Sequence, residues 1–420
     1  MTVIDGKPNT EEMAGPRVKP RVLIPTWRKF SAPAFRGGLF EAQDVFAEID
    51  AVDLLCIEAG SDWQRREKWL RRLLWRDVSR QLIHVNPGLK PVVLRQDYEL
   101  LVVLCQQWYE LLYLNAVQGW RDRCKTAICW LDEIYAADLP SYRYWLEALN
   151  QFDHILVPYR RTVEALQPLL NRPCHCIPRA VDTLRFSPFP ELPKRTIDVL
   201  SLGRRLPDIH SALLDLSKTD RLFYLHDTAA DGGNLFVQDV AQHRNMFANL
   251  ARRSTYFMVA PGKVLDLHET KGQMEVGMRY YEGAAAGAVL LGQAPEGDTF
   301  SALFDWPQAV VSVRADGLDI METIRGLQSQ PTLLQEISAR NVFHTVGRHD
   351  WLYRWQSMLE LAGLSQSHRL DARQVRLQSV MDHYARKQVS SPLPPISDLT
   401  HAQKELGFEG LANLVSKIHI

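Results

Sequence analysis

Short apolar runs alternate with helix-length amphipathic stretches, and the alternation occurs twice, on either side of one proline-rich break. The first set is Arg21-Val-Leu-Ile-Pro25, Ala51 to Ile57, Tyr98-Glu-Leu-Leu-Val-Val-Leu104, Ala127 to Leu131, His154 to Val157 and His175 to Pro178. Residues 62–80, Gln107 to Val117 and Tyr159 to Leu170 between them have helical periodicity. Runs this short and this apolar suit strands covered on both faces, and strands separated by helices pair in parallel. The break is Ser187-Pro-Phe-Pro-Glu-Leu-Pro-Lys194. Strand-like runs then resume at Ile197–Leu202, Leu222–Leu225, Tyr256–Ala260, Ala288–Leu291 and Ala309–Val313. Helical patterns cover Asp208–Ser217, 316–328, 331–345 and Trp351–Ala362. The pattern predicts an α/β chain of two doubly wound, Rossmann-like domains facing a central cleft, where such sheets bind ligands.

The expected organisation is a flexible lead over 1–19, an N-terminal domain over 20–186, a linker over 187–195 and a C-terminal domain over 196–347. A crossover helix over 348–364 and an extension over 365–420 follow. The extension has a helical patch near 371–387 and a last apolar-periodic stretch from Leu406 to Ile418. At 420 residues the chain is long enough for two cores. The 49 basic and 49 acidic residues cancel, which argues against nucleic acid as a primary partner. The six cysteines include no Cys-x-x-Cys pair, so buried free thiols in a reducing cytoplasm are expected. No signal-like lead or long apolar span occurs.

Three places carry residue types suited to a phosphate-bearing ligand. The strand at Ile197–Leu202 ends in Gly203-Arg204-Arg205, a sharp turn beside guanidinium forks matched to phosphate oxygens. Lys263, Lys271 and Arg279 could add positive charge. Glu275 and Glu282 lie seven positions apart and would share one face if both were helical. Glu282 opens the small-residue run Gly283 to Ala288, which leads into Val289-Leu290-Leu291. Further upstream, Gly37-Gly38 follows the first strand, and Asp132-Glu133 follows the strand ending at Leu131.

The stretch Glu275 to Gly292 resembles the end of the nucleotide-sugar site in retaining GT-B glycosyltransferases of the family-4-like, group 1 kind. The resemblance extends to Gly203-Arg204. It also takes in Phe152-Asp-His-Ile-Leu-Val-Pro158 and Pro178-Arg-Ala-Val-Asp182 followed by Phe186-Ser-Pro188. It covers roughly residues 20–362. It implies a metal-independent transfer of a sugar, with retention, from a nucleotide-diphosphate donor to a hydroxyl on a glycan, lipid or small metabolite. No cofactor beyond the donor and no metal are implied. Arg204 and Glu275 would serve the reaction. Arg204, Arg205, Lys263, Arg279, Glu282 and Gly283 would bind donor, with Glu282 on the ribose hydroxyls. Gly37, Gly38 and Asp132 would line the cleft, while Asp182 would fix the interdomain turn. Two departures are visible: six residues separate the glutamates where the family has seven, and a lysine usual soon after Gly-Arg is missing. These keep open a non-catalytic nucleotide-sugar-binding paralogue, and an epimerase on the same fold is a further alternative.

One stretch has a separate message. Gln64 to Arg76 carries Arg65, Arg66, Lys68, Arg71, Arg72 and Arg76, with Trp69, Leu70, Leu73 and Leu74 at helical spacing. A basic amphipathic helix with tryptophan suits an anionic membrane surface. The simpler reading is a helix whose apolar stripe packs on its sheet and leaves the arginines in water. Cytoplasmic placement, with peripheral attachment at the inner face of the membrane through residues 64–80, is the resulting expectation.

Overall fold

The computed structural model describes residues 19–387 except 77, 220–221 and 229–236, and leaves aside the side chains of Arg143 and Asp298. The stretch expected from Leu406 to Ile418 and nearly all of the expected lead lie outside the described residues.

The first lobe contains β1 (Val22–Thr26), α1 (Gly37–Ile49), β2 (Val52–Cys56), α2 (Trp63–Trp75), β3 (Val92–Val93), β4 (Tyr98–Cys105) and β5 (Val117–Gln118). It continues with α3 (Trp120–Arg123), β6 (Cys124–Leu131), α4 (Arg143–Leu149), β7 (His154–Val157), α5 (Arg160–Leu166), β8 (Cys174–Cys176) and α6 (Thr183–Phe186). The second lobe contains β9 (Ile197–Ser201), α7 (Pro207–Thr219), β10 (Tyr224–His226), α8 (Val240–Arg252), β11 (Ser254–Val259), α9 (Met278–Ala285) and β12 (Val289–Gly292). After these come α10 (Asp298–Leu303), β13 (Val311–Ser312), α11 (Ile320–Gln328), α12 (Pro331–Arg348), α13 (Trp351–Leu361) and α14 (His368–Lys387).

The strands form a six-stranded sheet in the order β2-β1-β4-β6-β7-β8 and a five-stranded sheet in the order β10-β9-β11-β12-β13, while β3 and β5 pair by themselves. All the recorded pairings are parallel, with Val22 opposite Val52 and Leu100 opposite Thr126 in the first sheet. Each sheet has an apolar cluster on both faces, as its near-continuous hydrophobic strands require. The expected α/β class with two doubly wound sheets is therefore what the chain forms. Both sheets reverse their winding at one place, between β1 and β4 in the first and between β9 and β11 in the second. A crevice opens outside the strand ends at such a reversal.

Two helices return to the first lobe. Phe46 of α1 stacks on Trp355 of α13 with ring centroids 4.5 Å apart, and the Trp355 indole donates to Asp50 at 3.0 Å. The side chain of Asp350 caps α13 by accepting from the Leu352 N–H at 2.9 Å, and it also accepts from the Thr183 hydroxyl at 2.6 Å. Arg373 of α14 then holds both Asp350 and Asp182, at 2.8 and 2.7 Å. Asp182 itself caps α6 by accepting from the Arg185 N–H at 3.3 Å.

Local departures from the sequence reading have physical causes. Gly37 and Gly38 open α1 instead of forming a loop. The Gln107–Val117 helix is a 3-10 helix over Trp108–Ala116. The helix expected from 316 starts at Ile320, after a turn in which Asp316 and Asp319 accept from backbone amides. Helix α8 has no counterpart in the sequence reading. Its apolar stripe is narrow, and a buried arginine interrupts it.

Candidate functional site

The turn after β9 stands at the winding reversal of the second sheet. Gly203 has φ of +88°, a conformation that favours glycine, and its N–H donates to Asp227 at 2.7 Å. Arg204 leaves this turn half-exposed and reaches Asp266 at 3.5 Å. Asp266 belongs to the loop after β11, on the other side of the same reversal. That loop carries two lysines in the left-handed region, Lys263 at φ +54° and Lys271 at φ +50°. The Lys263 ammonium lies 5.2 Å from the ring centre of Tyr135 in the first lobe and 3.3 Å from Glu269.

Arg279, on the first turn of α9, ties this corner together. Its Nε donates to the Leu202 carbonyl at 3.1 Å, and its Nη1 donates to Glu282 at 2.5 Å. Glu282 is buried, and its other oxygen accepts from Arg244 of α8 at 2.5 Å. Burial alone would push the Glu282 carboxyl up. Arg279 and Arg244 outweigh that, so it sits below its ordinary value and is held as a carboxylate. Each oxygen carries one guanidinium contact, one fewer than a carboxylate oxygen can accept.

Glu275 is placed differently from the sequence reading. Gly277 is extended and caps α9, so the helix begins at Met278 and the two glutamates share no helix face. Glu275 instead lies on an extended segment whose carbonyl accepts from the Gly262 N–H at 2.8 Å. Its carboxyl is buried and accepts from Gln273 at 2.6 Å. Gln273 reaches into the first lobe, where its amide nitrogen donates to Thr162 at 3.0 Å and its oxygen accepts from the Ala136 N–H at 2.9 Å. Burial raises the Glu275 carboxyl to about 7, against the opposing pull of Gln273, Arg179 and Arg161. It is thus a buried carboxyl poised near neutrality beside the contact between lobes.

The first-lobe glycines meet the second lobe. A Cβ on Gly38 would lie 2.8 Å from Cε of Met278, and one on Gly37 would lie 3.0 Å from Cδ of Arg244. Close approach at the start of α1 depends on their missing side chains.

Three expected site residues have other engagements. Arg205 pairs with Asp227 beside β10, away from Arg204. A Cβ on Gly283 would strike Leu290 at 2.6 Å and Phe257 at 2.9 Å, so this glycine lets α9 settle on its own sheet and turns no backbone to the cleft. Asp132 is buried against Arg179, which binds it through Nε at 2.8 Å and Nη2 at 2.9 Å; Gln106 adds a third donor at 2.9 Å. Its oxygens serve an internal ion pair. Arg244 and Arg179 are absent from the sequence-based site.

Residues 221–360 match the family model described as Glycosyl transferase-like. Residues 221–360 are thus glycosyl transferase-like, and the whole chain has the GT-B fold. The glycosyltransferase class expected from its sequence agrees with that match. An alpha-glucosyltransferase solved with UDP and a 13-mer DNA is similar in fold, with a TM-score of 0.51 and 11% identity over 82% of this chain and 100% of that one. Trehalose-6-phosphate synthase OtsA has a TM-score of 0.49 and 12% identity over 82% of this chain and 100% of that one. Anabaena HepE, solved with UDP and glucose, has a TM-score of 0.47 and 11% identity over 81% of this chain and 98% of that one. No curated protein matches the chain in sequence.

Proposed function

We propose that the chain transfers a sugar from a nucleotide-diphosphate donor to a hydroxyl acceptor, with retention and without a metal. The observation that carries the proposal is the cluster at the β9/β11 reversal: Arg204, Lys263 and Arg279 around the left-handed turn at Gly203, next to the carboxylate of Glu282. Breaking the glycosidic bond leaves charge on the diphosphate. Fixed guanidinium and ammonium groups stabilise that charge without reorganisation. Glu282 accepts from the ribose hydroxyls, Arg204 and Arg279 hold the phosphates, and Glu275 orients the sugar. A transfer that runs on one face of the sugar needs no separate base, which fits retention. Asp132 supports the cleft indirectly, by holding Arg179.

Melting curves with UDP-, GDP- and ADP-sugars identify the donor, because a bound ligand raises apparent stability. Glu282→Gln should weaken binding of that donor about 10- to 100-fold, the range for a charged hydrogen bond. Unchanged affinity would remove Glu282 from the donor site. A transfer assay separates this reading from a binding-only paralogue and from an epimerase, which converts donor without acceptor.

The acceptor side includes α2. Glu67, Leu70 and Leu74 form its buried stripe. At 100° per residue, Arg65, Lys68, Trp69, Arg72, Trp75 and Arg76 fall on the opposite side, and all six are exposed. Trp69 is 56% and Trp75 77% exposed. Arg71 stacks 3.9 Å from the Tyr109 ring centre, and the Tyr109 hydroxyl lies 3.4 Å from Arg36, next to Gly37. A face of cations and indoles on a helix whose other side reaches toward Gly37 through Arg71 fits an anionic membrane surface carrying or neighbouring the acceptor. Co-sedimentation with anionic vesicles should be lost on Arg72→Glu with Arg76→Glu. Retention of the reversed protein on the same vesicles would remove this face as the membrane contact, and no binding by the wild type would remove the membrane as partner. Among the described residues no helix is long and apolar enough to cross a membrane.

A further inference from the structure

One buried cation left unused by the proposed transfer is Arg244. Its Nε donates to Glu41 of α1 at 2.8 Å and its Nη1 to Glu282 of α9 at 2.5 Å. Its Nη2 is buried without a hydrogen-bond partner among the described residues. One guanidinium therefore spans the two lobes.

Glu41 is fully buried and stands where the lobes join. Its second oxygen accepts from the Asp182 N–H at 2.7 Å and from the Trp351 indole at 3.3 Å. Those residues begin α6 and α13, the two places where the chain passes between lobes. On the far side of Arg244, Glu282 passes the contact to Arg279 and thence to the Leu202 carbonyl. The result is an unbroken line of alternating charge, Glu41–Arg244–Glu282–Arg279, from the first lobe to the turn at Gly203.

We infer that Arg244 is a positioning residue that makes donor affinity depend on the relation of the lobes. This rests on the donor role proposed for Glu282. A guanidinium is a rigid planar fork, so Nε and Nη1 turn together. If α1 shifts relative to α8, the fork must follow Glu41 or stay with Glu282, and a carboxylate left unpaired in a buried site is strongly disfavoured. With both contacts made, Glu282 is fixed in one orientation, its remaining acceptor sites set for the ribose. Linkage makes the effect reciprocal: a donor that requires this orientation draws Glu41 and Arg244 together and favours the lobe arrangement seen here. Gly37 belongs to the same device, since a side chain there would press on the Arg244 stem.

The test uses the full chain and UDP, or whichever of GDP and ADP raises the wild-type melting temperature. Glu41→Asp keeps the buried charge but draws the carboxylate back from Arg244. Arg244→Lys keeps the cation but cannot span both partners. Each should weaken nucleotide binding about 5- to 30-fold, a moderate coupling between sites. Each should raise KM for the donor and leave kcat at saturating donor unchanged. Nucleotide should protect the amides of 37–41 from hydrogen exchange in the wild type and not in the variants. If Arg244→Lys fails to fold, Glu41→Asp decides alone. Affinity within twofold of wild type in the variants, while Glu282→Gln weakens binding, overturns the coupling and leaves the donor site standing. Unchanged affinity in Glu282→Gln overturns the donor assignment and the coupling with it.

Discussion

The two sheets reverse their winding in the same way and treat charge at the reversal in opposite ways. Around β1 and β4 two charge pairs are buried and matched, Arg36 with Glu110 and, beyond β6, Asp132 with Arg179, while the exposed Lys29 is held by Glu58. Around β9 and β11 the cations stay reachable, with the Arg204 side chain 50% and that of Arg279 36% exposed. Parallel sheets of one design therefore need not bind similar ligands. A crevice whose charges are satisfied from within is a wall, whereas one with cations at its edge attracts an anion.

That contrast can be broken at its strongest point first. Removing one partner of a buried pair strands the other, so Asp132→Ala should cost about 3–5 kcal/mol of stability. Nucleotide affinity of the remaining folded protein should be unchanged. Denaturant melts read the first quantity and calorimetry the second; a loss of nucleotide affinity at full folding would mean that the first crevice also takes donor.

The next effect concerns Glu275, whose carboxyl burial raises to about 7. Between the ordinary carboxyl range and that value the folded protein holds a proton that the unfolded chain has released. Stability is therefore fully present below that range and falls as pH rises to about 7. The loss is on the order of 3 kcal/mol. Glu275→Gln should flatten this slope, so that the variant gains on the wild type between pH 5 and pH 8 in parallel thermal melts. An unaltered slope would assign the pH dependence elsewhere. Smaller still is the effect expected at Glu282, where the loss appears in ligand affinity.

Much of this architecture can be read from sequence, because strands buried on both faces are apolar throughout. Tyr98–Cys105 and Val289–Gly292 announce themselves, and a proline-rich stretch separates the two sets. The turn at Gly203 and the cations beside it are equally plain, since glycine and arginine stand at the end of a strand. Helix α8 was hidden because its inward stripe is Arg244, Phe247, Ala248 and Ala251, of which one residue is charged and two are small. Asp239, three residues before Gln242, was the available sign of a helix start. The separation of Glu275 from Glu282 was equally invisible, because Gly277 is a lone glycine in an otherwise helix-compatible stretch and acts as a cap. Ion pairs such as Asp132 with Arg179 within the first lobe, and Glu41 with Arg244 between the lobes, join residues too far apart in sequence for spacing to show.

Arg373 has one further consequence. It lies on the last described helix, outside the region 221–360 that matches the family model, yet it neutralises two carboxylates at the passage between lobes. A chain ending after Leu364 would keep both sheets and every proposed donor contact while leaving Asp182 and Asp350 without their shared counter-charge. The pivot between the halves is thus bolted from outside, and trimming the protein to its recognisable part would loosen the joint on which its cleft depends.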